Sequence, residues 1–209
     1  PLVATGSAFT FTLPAGAYVL RARQLGYRVV TATVTVTAGH VTTAGLSLPP
    51  APVLLLVDSG AWYYGSQVGY FQQVLDDLAY AYDEWPVRYL PDDVPAASDL
   101  APYDVVVWSA PWDAPGYIGA QDAITGYLSG GGRLLLSGQD VGYLDGGVVG
   151  YFPYYRDYLK ADLVRDSSGS WELEGTPDEI FAGMAITIAG AGGADNQDYP
   201  DDIRPVDPD

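Results

Sequence analysis

The 209-residue chain contains no cysteine, one histidine, one methionine and one lysine, Lys160. Lack of cysteine excludes disulfides, thiolate metal ligands and a thiol nucleophile. With His40 as the only imidazole, general acid–base work must fall on carboxylates unless that one ring reaches the site. Positive charge is scarce too: nine bases stand against 26 acids, for a net charge of −17. Such a surface repels phosphate backbones and anionic lipid, so nucleic acid and membrane surfaces are not expected partners, whereas cations, neutral sugars and peptides are compatible. The acidity itself reads first as a solubility or salt adaptation. No apolar run approaches the roughly 20 residues that span a bilayer, and PLVATGSAF at the start has neither the basic head nor the apolar core of a secretory leader. A chain opening at Pro1 is expected to be a piece of a longer polypeptide, and 17 tyrosines with so little lysine favour an extracellular or cell-surface setting.

What is present is enough apolar content, 48% of residues, to fill a real core. The stretch Gly130–Asp140, GGGRLLLSGQD, organises the chain: glycines, a short all-apolar strand, then a turn with Ser137, Gln139 and Asp140. An unbroken apolar run is what a strand buried on both faces requires, so it reads as the centre of an α/β sheet with any site at its carboxyl end.

Residues 8–48 show period two, in AFTFTL, AYVLRAR, RVVTATVTV and VTTAGLSL, broken by PAG, LGY and AGH. Threonine and valine alternating between turn residues predict four short antiparallel strands, a small β-sandwich or part of one, over residues 1–50. Pro49, Pro50 and Pro52 form a stiff linker. A second unit, 51–209, follows as strand VLLLV, a helix from about Gln67 to Tyr82 capped by Ser66, strand VRYL, strand YDVVVW, a helix Tyr117–Ser129 closed by glycines, and strand LLLS. Strands alternating with helices demand right-handed crossovers and a parallel sheet, most simply in the flavodoxin-like order 2-1-3-4. Further on, a helix is expected to open at Pro153 and another at the Thr176–Glu179 capping box, with edge strands at WELEG and MAITIAG. An irregular acidic tail is expected from Asn196 to Asp209.

Two resemblances add to this reading. FTFTLPAGAYVLRARQLGY, Phe9 to Tyr27, resembles the second half of a carboxypeptidase regulatory-like domain, a transthyretin-like sandwich. The resemblance implies an accessory module of a secreted or surface protein, without catalytic residues of its own. VLLLVDSG, YDVVVWSAP and GGGRLLLSGQD resemble the class I glutamine amidotransferase-like fold, especially the non-catalytic versions in large secreted bacterial proteins, some of them proteases. That family acts through a cysteine at a strand-to-helix elbow with a downstream histidine and glutamate. Here the elbow offers Ser137-Gly138-Gln139 and no histidine follows, so both nucleophile and base are missing.

Ser137 or Ser59 as a hydrolase nucleophile needs a base within hydrogen-bond reach, and the only imidazole sits in the other unit, so turn and capping roles are favoured. Gly60 and Gly65 fit no phosphate-binding spacing and read as glycines of a tight crossover. Asp58 and Asp140 leave the carboxyl ends of strands with Asp113 nearby, where a carboxylate pair could serve glycoside or metal-assisted hydrolysis or act only as turn caps. These acids, or Asp195, Asp198, Asp201 and Asp202, could hold Ca²⁺, although no spacing is an EF-hand and no other cofactor is implied. Trp62, Tyr63, Tyr64, Trp108, Trp112 and Tyr143 are expected to crowd one rim that stacks sugars, grips a peptide or packs under a neighbouring domain. The expected function is a non-catalytic accessory segment whose partners are the neighbouring domains of its parent chain. The alternatives are a carbohydrate- or peptide-binding module and a metal-assisted hydrolase. Asp58, Trp62, Tyr63, Tyr64, Trp108, Trp112, Asp113, Ser137, Gln139 and Asp140 are the candidate ligand-binding residues.

Overall fold

The computed structural model describes residues 3, 5–63, 65–189 and 199–206. The chain opens with an antiparallel hairpin, β1 (Gly16–Ala22) and β2 (Val30–Val36), paired from Gly16↔Val36 to Ala22↔Val30. Their alternate residues are half-buried, as the threonine–valine alternation requires. Residues 8–13 and 41–48 form no strand, so four expected strands reduce to two. A two-stranded ribbon is marginal alone, and this one leans on the larger unit. Val29 N–H donates to Ala79 O at 2.7 Å, the Arg28 guanidinium lies 3.5 Å from the centre of the Tyr80 ring, and Arg23 donates to Tyr82 O.

The larger unit begins with β3 (Leu54–Asp58), every residue buried. A single 3-10 turn (Gly60–Trp62) leads to α1 (Gly69–Asp77), β4 (Tyr82–Pro86), α2 (Ala97–Leu100), β5 (Val105–Ala110), α3 (Gln121–Ser129) and β6 (Arg133–Gly138). The four strands form one parallel sheet in the order β4-β3-β5-β6. That is the expected 2-1-3-4 arrangement and gives an α/β unit compatible with a flavodoxin-like core. Leu55, Val57, Val106 and Trp108 face α3 on one side, while Leu54, Leu56 and Val107 face Phe71 and Leu75 of α1 on the other.

Within the parallel sheet, two expectations move. The organising stretch is an edge strand, since β6 ends the sheet and Leu135 is 52% exposed. The centre is β3 with β5. The second strand lies five residues earlier than expected: α1 stops at Asp77, Ala79 takes φ +57, and Tyr82 opens β4 instead of closing a helix. VRYL is a loop, held by Val87 N–H on Asp58 O at 2.9 Å and by Arg88 and Tyr89 N–H on the Asp93 carboxylate, both at 3.1 Å. These side-chain bonds occupy donors that a strand would need.

Beyond β6 come α4 (Val141–Asp145), α5 (Pro153–Asp157) with proline in its first turn, and β7 (Ala161–Arg165). β8 (Glu172–Glu174) and β9 (Ala185–Thr187) pair with each other, and the tail expected to be irregular instead contains β10 (Asp202–Pro205), which pairs antiparallel with β7. The Thr176–Glu179 capping signature forms turns linking β8 to β9, because Asp178 takes φ +67 and leaves the right-handed helical region. No helix among the described residues is long and apolar enough to cross a membrane.

Candidate functional site

Parallel sheets place their sites where the strand order reverses, at the carboxyl ends, which here means between β3 and β5. Ser59 follows β3 and is fully buried. Its Oγ accepts the Trp108 Nε1–H at 3.0 Å and lies 2.8 Å from Asp113 Oδ1 and 2.9 Å from Ser109 O, either of which can take its one proton. Trp62 Nε1–H donates to Asp113 Oδ2 at 2.8 Å. Two tryptophans, a serine and a carboxylate thus close the switch point with one another. Burial pushes the Asp113 carboxyl up to about 6, against the bonds from Trp62 and Ser59 that favour its charged form, and the charges of Asp145 and Asp58 add to the rise.

The same packing answers the glycine question. A Cβ on Gly60 would fall 2.3 Å from Pro111 Cγ and 2.9 Å from Gly65 O, so the space where a phosphate would lie against the backbone is filled by the loop after β5. Asp145, also fully buried, accepts from Gly116 N–H and Tyr117 N–H at 2.8 Å each and from Tyr154 OH, which fastens that loop to α4 and α5. Burial raises its carboxyl above the ordinary range. Nothing in the local sequence marks Asp145, since its backbone donors lie 28 and 29 residues away.

The expected aromatic rim is only partly a rim. Trp108 lies inside β5 with no exposure and belongs to the core. Trp62 and Trp112 are half-buried, as is Tyr143. Tyr63 is 58% exposed and stacks on Trp62, with ring centres 5.0 Å apart. Tyr64 lies outside the described residues.

The acids divide. Asp58, 9% exposed, stands near Asp113 at the switch point. Asp140 joins a second group: carboxylate oxygens of Asp140, Asp166 and Asp201 all lie within 4.8 Å of one another. Of the expected tail acids, Asp195 and Asp198 lie outside the described residues, Asp201 belongs to this group, and Asp202 pairs with Arg165 at 3.0 Å. Asp201 Oδ2 accepts from Gly142 N–H at 2.7 Å and Tyr143 N–H at 3.2 Å, at the start of α4. Burial raises its carboxyl to about 6, with the charges of Asp140 and Asp166 adding to the rise. Three carboxylates so placed can serve a divalent cation or a cationic side chain. Asp166 is missed by sequence reasoning because only the pairing of β7 with β10 brings the segments of Asp166 and Asp201 together.

Ser137 is exposed in β6, and Gln139 behind it is buried. At a nucleophile elbow the reacting side chain sits on the strained residue of the strand-to-helix corner. Here the residue of positive φ between β6 and α4 is Asp140, at φ +57. His40 is exposed at the turn after β2, its backbone N–H donating to Thr37 O at 3.2 Å, and shares no hydrogen bond with Ser137 among the described residues. Comparison of the chain with family models, curated proteins and solved structures returns no match in any of the three.

Proposed function

We propose that the chain is a non-catalytic accessory segment of a larger secreted bacterial protein, such as a peptidase or another hydrolase. In this reading residues 51–209 are an amidotransferase-like unit without its family's cysteine and histidine, and residues 1–50 are part of a regulatory-like sandwich. Its work is packing and binding beside catalytic domains of the parent.

The observation that carries the proposal is the corner after β6. A carboxylate, Asp140, holds the strained position, Ser137 stands before it in the strand, and the one imidazole is on the hairpin. A carboxylate has no proton to give up and is a weak base towards a hydroxyl, so an acyl-transfer nucleophile lacks its activating partner. The switch-point groups that could serve instead, Ser59 and Asp113, are buried and bonded to each other and to Trp62 and Trp108. The purified chain is expected to show no amidase, esterase or glycosidase turnover above buffer. Turnover abolished by Ser137→Ala or Asp140→Asn would defeat the proposal.

A further inference from the structure

Strand β6 has β5 on one side and, among the described residues, no strand on the other. Leu134, Leu135, Leu136, Ser137 and Gly138 all line one cleft of about 760 Å³. Successive residues of a strand point to opposite faces. A cleft touched by five in a row therefore runs along the strand's edge and not over one face. Across the cleft stand Leu173 of β8, Ile188, and Ala161 and Ile203 of the β7–β10 ribbon. Among the described residues, no backbone group of 134–138 bonds to backbone beyond β5. The floor of the cleft is thus a row of unused donors and acceptors between apolar walls, the template that a further strand completes.

The two ends of β6 differ in charge. At the amino end of β6 is Arg133, exposed and without an ion pair among the described residues. At the carboxyl end are Asp140, Asp166 and Asp201, the last of which lines the cleft. A second copy of the chain would bring another −17 of charge to the contact. A short apolar strand with a basic end is complementary both to the walls and to the acids.

Resting on the non-catalytic reading above, we propose that the open edge of β6 takes an extended peptide segment of a partner protein as a fifth strand. The segment is five or six residues long, matching about 20 Å of strand edge. It is apolar at alternate positions and carries lysine or arginine where it passes Asp140, Asp166 and Asp201.

The test is fluorescence anisotropy in EDTA-containing buffer, with three labelled peptides: Thr-Val-Thr-Val-Lys-Lys, the same ending in Glu-Glu, and the Lys-Lys peptide N-methylated at alternate residues. The Lys-Lys peptide is expected to saturate the protein with a Kd below about 1 mM. The Glu-Glu peptide should bind about tenfold more weakly, from lost attraction and added repulsion at two exposed positions. N-methylation, which keeps the side chains and removes backbone donors, should abolish binding. Leu135→Lys, at a half-exposed position, should abolish it with an unchanged urea midpoint, and Asp166→Lys should narrow or reverse the preference between the two tails. Equal binding of the two tails, or indifference to N-methylation or to Leu135→Lys, overturns the proposal. So does a dimer in light scattering that Leu135→Lys dissolves, since a second copy would then occupy the edge. Mass spectrometry of the incubated peptide keeps the two ideas apart. Intact but unbound peptide defeats only the strand-docking proposal, and cleaved peptide defeats the non-catalytic reading whatever happens at the edge.

Discussion

Asp113 makes the folded state's stability depend on pH in a direction opposite to that of an ion-paired carboxylate. Its carboxyl is raised from 3.8 to about 6 in the folded chain, first by burial and further by the charges of Asp145 and Asp58. Between those values the folded state holds a proton that the unfolded state has lost, so stability falls as pH rises through this window and levels off above it. A difference of about two pH units, at about 1.4 kcal/mol each, makes the loss about 3 kcal/mol. Asp113→Asn removes the titration and keeps the network. The amide oxygen can accept from Trp62, the amide N–H can donate to Ser59 Oγ, and the Ser59 proton turns to Ser109 O, already 2.9 Å away. Urea unfolding followed by tryptophan fluorescence from pH 3.5 to 7.5, on parent and variant, isolates the residue because the other acids titrate in both. The stability of the variant relative to the parent should rise by up to about 3 kcal/mol across that range. A difference that stays constant with pH would refute the buried, proton-holding Asp113 and with it the closed switch point.

Two further substitutions test the packing around the site. Gly138→Ala should cost about 1–3 kcal/mol in the same urea assay, because its Cβ would lie 2.1 Å from Ala110 O and push β6 from β5; an unchanged midpoint would contradict the close approach. Asp145→Ala strips Tyr117 N–H and Tyr154 OH of their acceptor and leaves Gly116 N–H only the longer bond to Tyr154 Oη at 3.3 Å, and should cost about 3 kcal/mol from unpaired buried donors. Hydrogen exchange should then quicken at Gly116 and Tyr117, and retained protection there would count against the tether.

The central sheet was readable because VLLLV and VVVW are the unbroken apolar runs that two-sided burial demands, and short crossovers leave few strand orders to choose from. LLL in β6 satisfies the same criterion at the edge. Apolar runs report a strand's composition and not its place in the sheet, so Leu135, half-exposed beside the cleft, looks no different from Leu55. Tyr82 kept helical spacing with Leu78 and Leu75 and still became the first residue of β4, because the left-handed Ala79 ends the helical path before it. The segment 41–48, VTTAGLSL, has one valine and Gly45 in its middle, so its alternation is weaker than that of β2; it pairs with no strand among the described residues, and Thr42 Oγ1 donates to Thr35 O at 3.1 Å.

At the site, Asp58, Trp62 and Asp113 were legible as residues leaving strand ends, though the bonding of Trp62 and Asp113 with Ser59 and Trp108 was not. Ser59 and Asp113 are 54 residues apart and meet only because β3 and β5 are neighbours. Trp108 looked like a rim residue because it ends an apolar run, yet the side of β5 it occupies is the side packed under α3.

The most direct measurement is covalent labelling with a fluorophosphonate probe, read by intact-mass spectrometry. If the chain has no activated hydroxyl at the carboxyl end of its sheet, the mass stays that of the unmodified protein, identical for parent and Ser137→Ala. A stoichiometric adduct mapped to Ser137 or Ser59, and lost in Asp140→Asn or Asp113→Asn, would contradict the account and make the segment a hydrolase.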